Sequence, residues 1–104
     1  MEPALLIHLL DGPSHGYALL AELESLELGP LDPSLVYRFL REMEKDDWVS
    51  SSWDEKTTQG PPRRVYEITP AGRQRLAEWT QELQRQRERI DQLLEDYKTK
   101  TRRR

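Results

Sequence analysis

Cysteine is absent from the 104-residue chain, which excludes a disulfide framework and thiolate metal sites and fits a reducing compartment. Long apolar runs are missing too. The N-terminus offers only Ala4 to Leu10, too short to cross a bilayer and with no basic residue ahead of it to make a signal peptide. A soluble, cytoplasmic protein is expected. Positive charge is missing from the first third of the chain: all 16 Lys and Arg lie from Arg38 onward, while Glu2 through Asp32 carries six acids. The net charge of -3 speaks against a polyanionic partner, because phosphate neutralisation supplies most non-specific affinity for DNA. Its segregation speaks the other way, as expected if one surface meets nucleic acid and another does not. Catalytic equipment is equally scarce. The only histidines are His8 and His15, and the acid pairs Asp46-Asp47 and Asp54-Glu55 fall at a helix end and a loop start. No glycine loop cradles phosphate and no cluster has metal spacing, so neither an enzyme nor a cofactor is expected.

What is present is a series of punctuated helices. Hydrophobic residues make up 36% and charged residues 34%, so one small core is expected, with apolar surface left over for a partner. Pro3 to Leu10 reads as a short buried helix stopped by Asp11-Gly12-Pro13. Ser14 can cap a second helix, with Tyr17, Leu20, Leu23 and Leu26 at helical spacing before Gly29-Pro30. Asp32-Pro33 starts a third, to about Asp46, with Val36, Leu40 and Met43 on one face and Ser34, Tyr37, Arg38, Arg41 and Lys45 on another. Strands are expected at Trp48 to Trp53 and Arg64 to Ile68, around a polar loop from Asp54 to Arg63 that has the shape and charge of a wing. Thr69-Pro70-Ala71-Gly72 launches the longest helix, to about Thr99.

That helix carries Leu76, Leu83, Ile90 and Tyr97 at intervals of seven, with Trp79, Gln86 and Leu93 three positions further on. The heptads mark a dimerisation helix through Leu76, Trp79, Leu83, Ile90, Leu93 and Tyr97. The fold class expected is mainly α with a small β-hairpin: a winged helix-turn-helix domain, residues 1–69, followed by a dimerisation helix and basic tail, residues 70–104.

The stretches Gly12-Pro13-Ser14-His15-Gly16-Tyr17, Leu31-Asp32-Pro33-Ser34-Leu35-Val36-Tyr37-Arg38, Glu44 to Val49, Trp53-Asp54 and Gly60 to Gly72 resemble the PadR family of transcription regulators. The resemblance spans about Ala4 to Tyr97. Within the family the chain looks most like the short members known as poly-β-hydroxybutyrate-responsive repressors, in which a Trp-Asp opens the wing. It departs from the pattern in starting almost on its first helix and in carrying Trp48 where a smaller aliphatic residue is usual. The resemblance implies a homodimer with crossing C-terminal helices, reading helices in successive major grooves of an operator, wings near minor grooves, and repression relieved by a small-molecule or polymer effector.

DNA recognition needs donors that fix register and side chains that reach base edges. Ser34 and Leu35, near the start of the third helix, stand where a reading helix meets bases, followed by Tyr37, Arg38 and Arg41. Ser14, His15 and Tyr17 open the second helix, whose amide-rich start suits a phosphate. Lys56, Arg63 and Arg64 of the wing can follow the backbone. An effector pocket is expected where the long helices meet the core, lined by Trp79 and Leu83. The alternative reading is a winged-helix module that binds protein rather than DNA, which the negative net charge favours.

Overall fold

The computed structural model describes residues 1–27, 29–54 and 63–103. Helix α1, Glu2–Leu9, has a proline in its first turn and buries Leu5, Leu6 and Leu9. Its end tightens: the amides of Leu10, Asp11 and Gly12 donate to the carbonyls three residues back, and Gly12 then takes a φ of 135° that side-chain-bearing residues avoid. The chain leaves this turn extended. Ser14–His15 form a short strand, β1, so Ser14 does not cap the second helix as its position suggests; its hydroxyl turns to the His15 carbonyl. Helix α2, Gly16–Glu27, buries Leu19, Leu20 and Leu23, whereas Tyr17 and Leu26 are 71% and 63% exposed. The physical reason is drift: each step of three along a helix falls roughly 60° short of a full turn, so the ends of a period-three series leave the face its centre buries.

Helix α3, Pro33–Lys45, begins as its residues dictate. The Asp32 carboxylate accepts from the Ser34 amide at 3.0 Å and the Ser34 hydroxyl at 2.8 Å, and these bonds hold its pKa below the ordinary carboxylate range. As pH falls through that lowered value the cap's contribution to stability is lost. Val36, Leu40 and Met43 are fully buried beneath it. The helix closes on a left-handed residue, Asp47 with φ 64°, and the Trp48 amide returns to the Met43 carbonyl at 2.9 Å while Asp47 returns to Glu44 at 3.0 Å. The turn aims the chain into strand β2, Val49–Asp54, paired antiparallel with β3, Arg63–Ile68. Strand β1 adds to the other edge of β3, Ser14 opposite Tyr66 and His15 opposite Val65, making a sheet of order β1-β3-β2.

Helix α4, Pro70–Arg102, is capped by Thr69, whose side chain accepts from the Gly72 amide at 2.9 Å. Gly72 and Leu76 are buried and Trp79 packs against the core, so the opening turns of α4 complete the first unit. Trp79 meets Trp48 edge to face at 5.7 Å, with the Arg75 guanidinium 4.2 Å from the Trp79 ring centre. Every residue from Gln81 to Arg103 is exposed. The helix therefore projects as a rod, and the molecule measures 69 × 29 × 21 Å.

Candidate nucleic-acid interface

The outer face of α3 presents Ser34, Tyr37, Arg38, Arg41 and Lys45, all exposed. Ser34 directs its hydroxyl proton at Asp32, leaving its lone pairs outward. Leu35 is half-buried. The Arg38 guanidinium lies 5.9 Å from the centre of the Phe39 ring, where a cation–π contact limits the rotamers it must give up on binding. Tyr37 leans against the start of α2. A Cβ built on Gly16 would stand 2.5 Å from the Tyr37 ring, so only glycine lets the two elements meet this closely.

Around that contact is a cleft of about 510 Å³ lined by His15, Gly16, Tyr17, Tyr37, Arg63 and Arg64. Two phenols, an imidazole and two guanidiniums are all donors, as anion recognition requires. The strand register places them: β1 sets His15 beside β3, while Arg63 and Arg64 open β3 at its wing end. Beneath lies the Tyr66 phenol, which is buried; desolvation pushes its pKa up, only partly opposed by the charge of Arg64, so it stays neutral. His15 Nε2 stands 3.6 Å from the Asp54 carboxylate, tying the start of α2 to the start of the wing loop, and its buried Nδ1 has no hydrogen-bond partner.

His15, Tyr17, Tyr37, Arg63 and Arg64, singled out in the sequence, come together at this one cleft, but the sequence does not show what restrains them. Arg64 Nε donates to Ser51 Oγ at 2.8 Å, the Ser51 hydroxyl donates to Glu44, and an Arg64 Nη lies 3.6 Å from the other Glu44 oxygen. Trp53, its cross-strand partner, faces the same guanidinium at 5.1 Å. Glu44, Ser51 and Trp53 carry no signal in the sequence until the register is known. Lys56, assigned to the wing, falls outside the described residues. A second cleft, of about 390 Å³, contains Ser50 to Asp54 and Glu67; its two acids make it unsuited to phosphate.

The heptad stripe of α4 divides in two. Leu76, expected at a dimer interface, is 4% exposed and occupied by its own core, and Trp79 is half-buried against Trp48. Leu83, Ile90, Leu93 and Tyr97 are 41%, 54%, 62% and 68% exposed, and Leu94, which the heptads omit, joins them at 56%. Trp79 and Leu83 line neither of the two clefts described. No described helix is long and apolar enough to cross a membrane.

Three helices, a small antiparallel sheet with a wing loop, and a projecting fourth helix define a winged helix-turn-helix protein. The transcriptional regulator PadR-like family matches residues 5–78, and the chain belongs to it. Its members are transcriptional regulators, not enzymes. Among solved structures, a protein described as a transcriptional regulator from Thermoplasma acidophilum is 32% identical, with 90% of this chain and 89% of that chain covered and a TM-score of 0.80. A PadR-like transcriptional regulator from Bacillus cereus is 24% identical, with 89% of each chain covered and a TM-score of 0.77. Bacillus subtilis PadR, solved in complex with operator DNA, is 20% identical, with 76% of this chain and 45% of that chain covered and a TM-score of 0.66. No curated protein matches the chain.

Proposed function

We propose that the protein is a cytoplasmic, sequence-specific repressor that binds an operator as a homodimer, the winged unit of residues 1–69 reading DNA and residues 70–104 pairing the subunits. One observation carries this reading: the exposed face of α3 runs without interruption from Arg38 through Tyr37 into a donor-lined cleft closed by Arg63 and Arg64. That surface suits a duplex. Ser34, Leu35 and Arg38 meet the major groove, and Tyr37 and Arg41 flank them. His15, Tyr17, Arg63 and Arg64, with Lys56 beyond them, hold the phosphates. Ser14, in β1 with its hydroxyl turned inward, positions His15 and is at most a minor contact.

The basic tail after Lys98 gives weak phosphate contact at most, and the stripe from Leu83 to Tyr97 supplies the dimer. An effector that relieves repression would enter between paired α4 helices, over Leu83 and the open edge of Trp79. The narrower likeness to poly-β-hydroxybutyrate-responsive members rests on Trp53-Asp54 and the short C-terminal helix and has no support among the relatives.

Anisotropy titrations against genomic fragments at several salt concentrations test the reading. Binding should be sequence-selective and weaken with salt, log K falling by about 0.9 per neutralised phosphate for each decade. Arg38→Ala should reduce operator affinity at least tenfold with the dimer intact, in line with about 1–3 kcal/mol for a base-reading arginine. Absent or salt-independent binding would favour the protein-partner module. A subtler variant, Gly16→Ala, forces the Tyr37 ring away. We expect it to weaken operator binding roughly fivefold, since the displaced group is a mobile side chain rather than backbone and the fold can absorb a strain of about 1 kcal/mol.

A further inference from the structure

Arg64 lines the phosphate cleft, yet its guanidinium is already engaged on three sides: Glu44 from α3, Ser51 from β2, and the Trp53 ring beside it. Glu44 is half-buried, one helical turn before Asp47 breaks the helix, and its two oxygens take Arg64 and the Ser51 hydroxyl. A carboxylate in this position opposes the attraction of a polyanion and holds an arginine that would otherwise move toward a phosphate. For a protein whose only task was tight DNA binding, it would be a handicap. A protein that must ignore the large excess of non-operator sequence gains from it, because the ratio of specific to non-specific affinity matters more than either alone.

We infer that Glu44 is a specificity-determining residue: by holding Arg64 against Ser51 it keeps the wing arginine from gripping arbitrary phosphates, so that tight binding depends on contacts made by α3. The inference rests on the DNA-binding reading above. It also explains why three elements meet here. The same bonds that restrain Arg64 lock the wing strands to the end of the reading helix, so the wing's reach is set by α3.

Glu44→Gln tests it, since the amide oxygen still accepts from Ser51 while the charge and the acceptor facing Arg64 are lost. The probe is a duplex of random sequence, titrated by anisotropy at several KCl concentrations. Glu44→Gln should bind this duplex about fivefold more tightly than wild type, with a salt slope steeper by about 1.8 for the dimer, the signature of one more phosphate neutralised by each subunit. Operator affinity should rise less, so selectivity falls. In an Arg64→Gln background the same substitution should change neither affinity nor slope. An unchanged slope in Glu44→Gln, or a gain that persists without Arg64, overturns the inference and leaves the DNA-binding reading standing. Wild-type protein that binds neither random duplex nor any genomic fragment at low salt overturns both.

Discussion

Glutamates placed together at Ile90 and Leu94 are expected to convert a dimer into monomers while leaving the winged unit folded. From Gln81 onward every described residue of α4 is exposed, and the stretch to Arg102 is about 33 Å long at 1.5 Å per residue. A lone helix of this length is marginal in water, so on the proposed reading the helix and its pairing would support each other. Ile90 and Leu94 are 54% and 56% exposed, four residues apart on one side of the rod. Burying a half-exposed aliphatic chain contributes roughly 1 kcal/mol, and both protomers lose two such chains and gain buried charge; the dimer should weaken by about 4 kcal/mol or more, near a thousandfold. Sedimentation at tens of micromolar would show two chains for wild type and one for the variant. Operator affinity should fall with it, because each monomer retains only one half-site. A variant that remains dimeric would move the interface elsewhere, to the exposed Ile7 of α1 and Leu10 just after it.

Gly72→Ala is expected to do the reverse, damaging the winged unit itself. A Cβ at this position would lie 2.0 Å from the Trp48 carbonyl oxygen and 2.9 Å from Ile68 Cγ1. The carbonyl cannot step aside. It accepts from the Thr69 amide at 3.0 Å, and the Thr69 hydroxyl donates to the neighbouring Asp47 carbonyl, so the turn after α3 and the start of α4 are bonded to each other where the methyl would go. Relief requires α4 to lift from the core and carry Leu76 and Trp79 with it. Overpacking of this kind costs about 3 kcal/mol or more, which in a domain of this size lowers Tm by roughly 10–20 °C. Thermal denaturation followed by circular dichroism reads the effect directly. A shift of only a degree or two would mean that α4 does not seat on the Trp48 turn as described.

The features legible in the sequence are those whose causes are local. Asp32-Pro33 and Thr69-Pro70 announce helix starts because cap and proline act within three residues, and both caps form as expected. The Val36, Leu40 and Met43 stripe is equally local in its logic, since burial of one side exposes the other, and with it Tyr37, Arg38 and Arg41. Strand β1 escaped notice because a two-residue strand exists only through its pairing with β3, fifty residues away. The period-three series in α2 marked a helix but misplaced Tyr17 and Leu26, which drift off the buried face. Leu76 and Leu83 belong to one heptad pattern, yet Leu76 is buried in the core and Leu83 is exposed, because no residue in the pattern marks where the core ends and the rod begins. The restraint on Arg64 is legible only in three dimensions. Glu44, Ser51 and Arg64 come from three elements, and nothing about any one of them foretells the others.

On the proposed reading, α3 faces a duplex in both subunits at once. Footprinting of the wild-type protein on an operator recovered by selection from genomic DNA tests this most directly. Two protected major-groove windows should appear, centred about one helical turn or a multiple of it apart, roughly 34 Å per turn, and both should vanish together in Arg38→Ala. A single window, or two that survive the loss of Arg38, would contradict it.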